Sequence, residues 1–133
     1  MNGIIQTAYR AVDALATTLP PTQVFPPLMV LVEQYTQSPD PNLRKSALTS
    51  FGLAVEGCSE FIRPHVRKMW PLIDQGFQDP VAIVRNAACV AFGCLCEWLP
   101  EESAERHEIV MPVCRVVIPL HSSLSLTIYC RLS

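Results

Sequence analysis

Apolar residues recur along this chain at helical spacing, in blocks separated by short breaks that carry proline and aspartate. Leu43, Ala47, Phe51, Ala54, Val55 and Cys58 fall at i, i+4, i+8, i+11, i+12 and i+15. At about 100° per residue they span an arc of roughly 120°, one stripe on a helix that faces a core. Val84, Ala88, Phe92, Leu95, Cys96 and Leu99 trace a similar stripe. Asp40-Pro41 and Asp79-Pro80 stand before the two blocks; Asp can cap a helix, and Pro fits its first position. Pro64 and Pro100 mark the breaks that follow. The pattern predicts helices near 3–19, 26–37, 41–59, 64–78, 80–99 and 103–114, with no convincing strand before an ambiguous final segment. Pro20, Pro21, Pro26 and Pro27 interrupt the charge-free stretch 14–32, which argues against a membrane helix and for a loop between two helices.

The two blocks are copies of one pattern. LRKSALTSFGLAVE at 43–56 aligns without a gap on VRNAACVAFGCLCE at 84–97, 41 positions on. Arg44 falls on Arg85, Ala47 on Ala88, Phe51 on Phe92, Gly52 on Gly93 and Glu56 on Glu97. The Asp-Pro pairs are 39 apart, so a two-residue indel lies in that turn. Trp70-Pro71-Leu72 recurs as Met111-Pro112-Val113 at the same offset of 41. A period near 40 belongs to helix-pair arrays of the HEAT and armadillo kind. The expected fold is all-α, an α-solenoid of about three stacked HEAT-repeat hairpins. Residues 1–19 are then the second helix of a preceding repeat, 24–60 and 61–100 are two repeats, and 101–119 is the first helix of an incomplete one.

Composition narrows the class. Half of the 133 residues are apolar, which suits a packed helical protein and not a disordered tail. Ten basic residues against twelve acidic ones give no electrostatic signature of nucleic-acid binding. The start, MNGIIQTAYR, lacks the basic and apolar regions of a secretory leader, and the six cysteines are expected to be reduced core residues.

Longer stretches carry a family resemblance. DPNLRKSALTSFGLAVEGCSEFIRPHVRKMWPLIDQGFQDP and VRNAACVAFGCLCEWLPEE, within about residues 24–113, resemble the importin beta (karyopherin beta) family, and within it the importin 4 type. The resemblance implies a nuclear transport receptor moving between cytoplasm and nucleus. It implies a concave face of second helices that carries basic protein cargo such as histones or ribosomal proteins. Ran-GTP would bind near the amino-terminal end of the full receptor, and phenylalanine-glycine nucleoporins on its outer face. Such receptors are far longer than 133 residues, so the chain reads as a fragment or truncated product. The other reading is a HEAT-repeat scaffold of the phosphatase or condensin kind.

The candidate residues follow from both lines. Asp79 and Arg85, six apart, resemble the turn of a HEAT repeat, where Asp accepts backbone amides and Arg reaches neighbouring acceptors. The first unit departs from this, because Arg44 lies four residues after Asp40 and Ser38 stands six before Arg44. No Asp–Arg ladder is expected there. Glu56, Glu60, Glu97, Glu101 and Glu102 sit at or just past the ends of second helices; they form either a solvated edge or an acidic strip for basic cargo, with Trp98 either stacking on Lys and Arg stems or packed between repeats. Trp70 belongs to the apolar seam.

No cofactor, metal or catalysis is expected. Cys94 points about 140° from Cys89, and Cys96 shares the Cys89 face about 10 Å further along. His65, His107 and His121 have no paired acid or glycine-rich elbow nearby. Apolar residues on the first helix (Ile4, Ile5, Ala8, Val12) and the last (Ile109, Val110, Val113) lack caps, so the chain is expected to self-associate. Residues 120–133 form an off-pattern tail: His121 and Leu126 stand where an Asp turn and an Arg are due, and a changed reading frame or a divergent terminal unit accounts for it.

Overall fold

The computed structural model describes residues 2–117; the off-pattern tail lies outside them. In chain order the elements are α1 (Asn2–Thr18), α2 (Pro21–Thr36), α3 (Pro41–Ile62), a 3₁₀ turn (Arg63–Lys68), α4 (Trp70–Phe77), α5 (Ala82–Trp98) and α6 (Pro100–Val117). The fold is all-α, with helical hairpins stacked in the manner of an α-solenoid. α3 is the central element, packing against α1, α2 and α5, while α4 and α6 pack on α5.

Helix boundaries show where local chemistry overrides a simple pattern. Helix α2 begins at Pro21, about one turn before the expected start at 26, so only Leu19 and Pro20 separate α1 from α2. Pro21 takes the first turn, and the missing amides of Pro26 and Pro27 remove bonds only to carbonyls in that first turn. Burial of Phe25 and Val32 against the core offsets that loss. The single helix expected over 64–78 is broken at Met69. Pro64 tightens the chain into 3₁₀ turns and Pro71 opens α4, because neither ring nitrogen can donate to the preceding turn. The last helix runs from Pro100 to Val117, longer at both ends than expected, and carries Pro112 inside it.

The two Asp-Pro pairs behave differently. Asp40 caps α3, its carboxylate accepting the Asn42 amide at 2.9 Å, with Pro41 at the first position. Pro80 was expected to do the same for α5, but α5 begins at Ala82 with Val81 before it. The two extra residues of that turn account for the difference between the 39- and 41-residue offsets.

One continuous core runs through the stack. Phe51, Ala54, Val55 and Cys58 on α3 and Val84, Ala88, Phe92, Leu95 and Leu99 on and after α5 are inaccessible or nearly so. Leu43, expected on the α3 stripe, is 40% exposed, because it lies in the first turn beyond the reach of the neighbouring helices. Trp70 and Phe77 from α4 pack on the Phe92 ring, each with centroids 6.2 Å away. Phe25 of α2 meets Phe51 and Phe61 at 6.4 and 5.7 Å. Val110, expected on an uncovered face, is buried; its neighbour Ile109 is exposed.

Two glycines allow backbone-scale approach. A methyl group on Gly57 of α3 would overlap the carbonyl of Ala16 in α1. One on Gly76 of α4 would lie 2.7 Å from the Ala88 methyl and 2.9 Å from Leu48. We predict that Gly57→Ala destabilises the α1–α3 contact by about 1–3 kcal/mol, since no rotamer relieves a clash with backbone. Gly3→Ala, on the open side of α1 with nothing within 4 Å, is the control and should be neutral or stabilising. Amide hydrogen exchange in α1 checks both: faster exchange in the first variant alone is the expected outcome.

Candidate protein-interaction surface and the ladder between hairpins

The turn before α5 is built around Asp79. Its Oδ1 accepts the Val81 amide at 2.9 Å, which closes the turn locally. The same carboxylate accepts two bonds from Arg44 on α3, Nε to Oδ2 at 2.7 Å and Nη2 to Oδ1 at 3.1 Å. This is a bidentate fork between two hairpins, with both side chains largely shielded from solvent. Nη1 of Arg44 donates to the carbonyls of Ser38 (2.9 Å) and Pro39 (3.1 Å), pinning the turn before its own helix. Arg85 repeats that backward reach, donating from Nη1 to the Asp79 carbonyl at 2.8 Å.

A ladder therefore exists where the spacing within the first unit argued against one. The acid and the base of one rung come from different units. Arg44 does not need an Asp six residues before it, because the Ser38 carbonyl serves that position and the carboxylate arrives from the next turn. The bonds from Arg44, then the Val81 amide, hold the Asp79 carboxyl below its ordinary range, although desolvation opposes them. The same bond to Asp79 raises Arg44.

Further polar contacts cross between neighbouring units. Gln37 donates to Gln75 at 3.4 Å. Arg63 spans Glu60 (2.9 Å) and Glu102 (2.6 Å), and Arg67 reaches Glu105 at 3.3 Å on an exposed edge. Arg106 of α6 pairs with Asp74 of α4 and lies over the buried Trp70 ring, 5.7 Å from its centroid. Sequence reading missed these Arg side chains. The 41-residue period gave the only available signal, since the partners stand 32 to 39 positions apart.

The acidic candidates divide into two groups. Glu56 and Glu97 are exposed near the ends of α3 and α5, at equivalent places in the two units. Both lie near Cys94, whose thiol is pushed up to about 11 by burial first and then by Glu97 and Glu56. Glu101 is exposed in the first turn of α6, a favourable place for a carboxylate beside a helix N-terminus. Glu60 and Glu102 share Arg63 instead; the bond to Arg63 holds the Glu60 carboxyl down. Trp98 is 40% exposed beside Glu97, so part of its ring is open to a ligand. Cys58, Cys89 and Cys96 are buried, and among the described residues no three His, Cys, Asp or Glu side chains converge on a metal-sized space. His65 rests on the Phe61 ring at 6.0 Å. No helix among the described residues is long and apolar enough to cross a membrane.

Stacked hairpins, a repeat near 40 residues and Asp–Arg bonding between units define a helical-repeat protein. Residues 41–95 match the profile of the HEAT-like repeat. The chain is 37% identical over 106 residues to a probable importin subunit beta-4 of Schizosaccharomyces pombe. It is 36% and 35% identical over 109 residues to importin-4 of Mus musculus and of Homo sapiens. Each match covers 80% of this chain and 10% of the relative. The chain belongs to the importin beta family, and it spans about a tenth of the length of these relatives.

The ladder generates a pH prediction. Because Asp79 titrates lower in the folded chain than in the unfolded one, its contribution is present above the unfolded carboxylate pKa and is lost as pH falls through the folded value. Asp79→Asn should lower the melting temperature by about 3–6 °C at pH 7. Its deficit relative to the parent should shrink steadily below about pH 4. Paired thermal melts from pH 7 to pH 2.5 measure this, and a deficit independent of pH would contradict the assignment.

Proposed function

We propose that this chain is a protein-binding segment of an importin beta-type nuclear transport receptor, acting between cytoplasm and nucleus on basic protein cargo such as histone or ribosomal-protein segments. The carrying observation is the placement of Glu56 and Glu97 at equivalent, exposed positions on successive second helices, with the half-exposed Trp98 and the exposed Glu101 alongside. Neighbouring packed helices lie about 8–10 Å apart, close to the reach of three residues of extended peptide. A basic segment crossing the helices would place one cation at each carboxylate. Glu60 contributes less, because Arg63 already occupies it. Asp40, Arg44, Asp79 and Arg85 hold the hairpins in register and take no direct part in binding. In the full receptor, Ran-GTP and phenylalanine-glycine nucleoporins would engage other surfaces of the array. The scaffold reading is less favoured, since relatives named as importins and a transportin recur among the matches. Nothing in the arrangement calls for a catalytic role.

Two measurements test this reading. A lysine-rich histone-tail peptide should bind the chain weakly, with affinity falling as salt is raised from 50 to 300 mM, about the range over which exposed charges become screened. Glu56→Lys combined with Glu97→Lys should weaken binding by about tenfold, two reversed exposed pairs each costing a fraction of a kcal/mol or more. Unchanged affinity by fluorescence anisotropy would return both residues to the role of a solvated edge. Leu15 of α1, Leu19 in the link, and Val30 and Leu31 of α2 are exposed apolar side chains, and we infer that the isolated chain self-associates through them. Sedimentation velocity should show mass rising with concentration, and Leu15→Glu with Leu31→Glu should abolish the rise; a monomer at all concentrations would contradict it.

A further inference from the structure

Ser38-Pro39 is the one place in the 133-residue sequence where Ser or Thr precedes Pro. That pair occupies the short turn between α2 and α3, with Ser38 partly accessible and Pro39 exposed. Proline-directed protein kinases require the proline that follows the acceptor hydroxyl. The turn is also the one that Arg44 grips, through the carbonyls of Ser38 and Pro39, while its other two nitrogens hold Asp79 of the next hairpin. The Ser38 hydroxyl now accepts only the Asp40 amide, at 3.1 Å.

We infer that Ser38 is a phosphoacceptor, and that phosphate there loosens the joint between the two hairpins. The reaction transfers the γ-phosphoryl group of ATP to Oγ: the Oγ–P bond forms, the bond to the β-phosphate oxygen breaks, ADP leaves and the hydroxyl proton is released. The product carries a charge of about −1.5 to −2 at pH 7. It appears beside a guanidinium already committed to Asp79, with the Asp40 carboxylate two residues away. Charged acceptors outcompete neutral carbonyls for Arg, so Arg44 turns toward the phosphate. Like-charge repulsion then acts on Asp79, the partner it has left. The fork across the seam opens, and the second hairpin is left with apolar packing and the weaker Gln37–Gln75 contact. This goes beyond the transport reading and does not depend on it, since the joint belongs to the helical stack whatever binds to its surface.

The test uses the whole chain, a purified proline-directed kinase and Mg-ATP, followed by peptide mass spectrometry. One phosphate on Ser38 is expected, and none in Ser38→Ala. The phosphorylated chain should melt about 3–6 °C below the unmodified one. In Asp79→Asn, where the fork is already weakened, phosphorylation should produce less than half of that shift. Failure of the folded chain to accept phosphate at Ser38 would overturn the inference. So would an unshifted melt of the phosphorylated chain, or an equal shift in Asp79→Asn.

Discussion

Arg44 and Asp79 meet across the seam between hairpins, and the relative placement of everything on either side depends on that fork. Apolar packing between α3 and α5 is extensive, but burial alone is non-directional and would tolerate sliding of one helix along the other. A planar guanidinium bound at two points to a carboxylate does not. The same two side chains also organise the turns that precede their helices, Arg44 through the Ser38 and Pro39 carbonyls and Asp79 through the Val81 amide. Turn geometry and inter-hairpin register are therefore one problem with one solution.

Close approach accompanies that solution. Gly57 and Gly76 remove side chains where α1 meets α3 and where α4 meets α5 and α3, so the backbones approach closely at both contacts. The aromatic residues fill what remains. Phe51 and Phe92 sit at equivalent places in successive units and are fully buried, each meeting rings from the helix that covers its own unit. Such a stack transmits position along its length, and that allows Glu56 and Glu97 to present carboxylates at a spacing set by helix packing.

The repeat was legible in the sequence because the constraint is strictly periodic: Phe51 on Phe92 and Gly52 on Gly93 report the same packing environment met twice. The stripes on α3 and α5 were legible for the same reason, Leu43 excepted. What escaped was chemistry that crosses between units. A rung joining Arg44 to Asp79 cannot be seen by testing the spacing of Asp40 and Arg44, and the pairing of Arg63 with Glu102 changes the meaning of an acidic run that looks uniform on paper. Prolines misled in both directions, since Pro21 opens α2 where a proline-rich loop was expected up to residue 26, while Pro71 splits a helix that the apolar pattern would continue. Their effect depends on which carbonyls lose a donor and on how much the flanking residues bury.

A double-mutant cycle on Arg44→Gln and Asp79→Asn, read by thermal and urea unfolding, tests most directly whether this fork fixes the joint. If it does, either single change should remove most of the stability that the pair provides, and the double variant should be little worse than either alone. Strict additivity of the two effects would show that Arg44 and Asp79 act independently, and that apolar packing by itself sets the register of the hairpins.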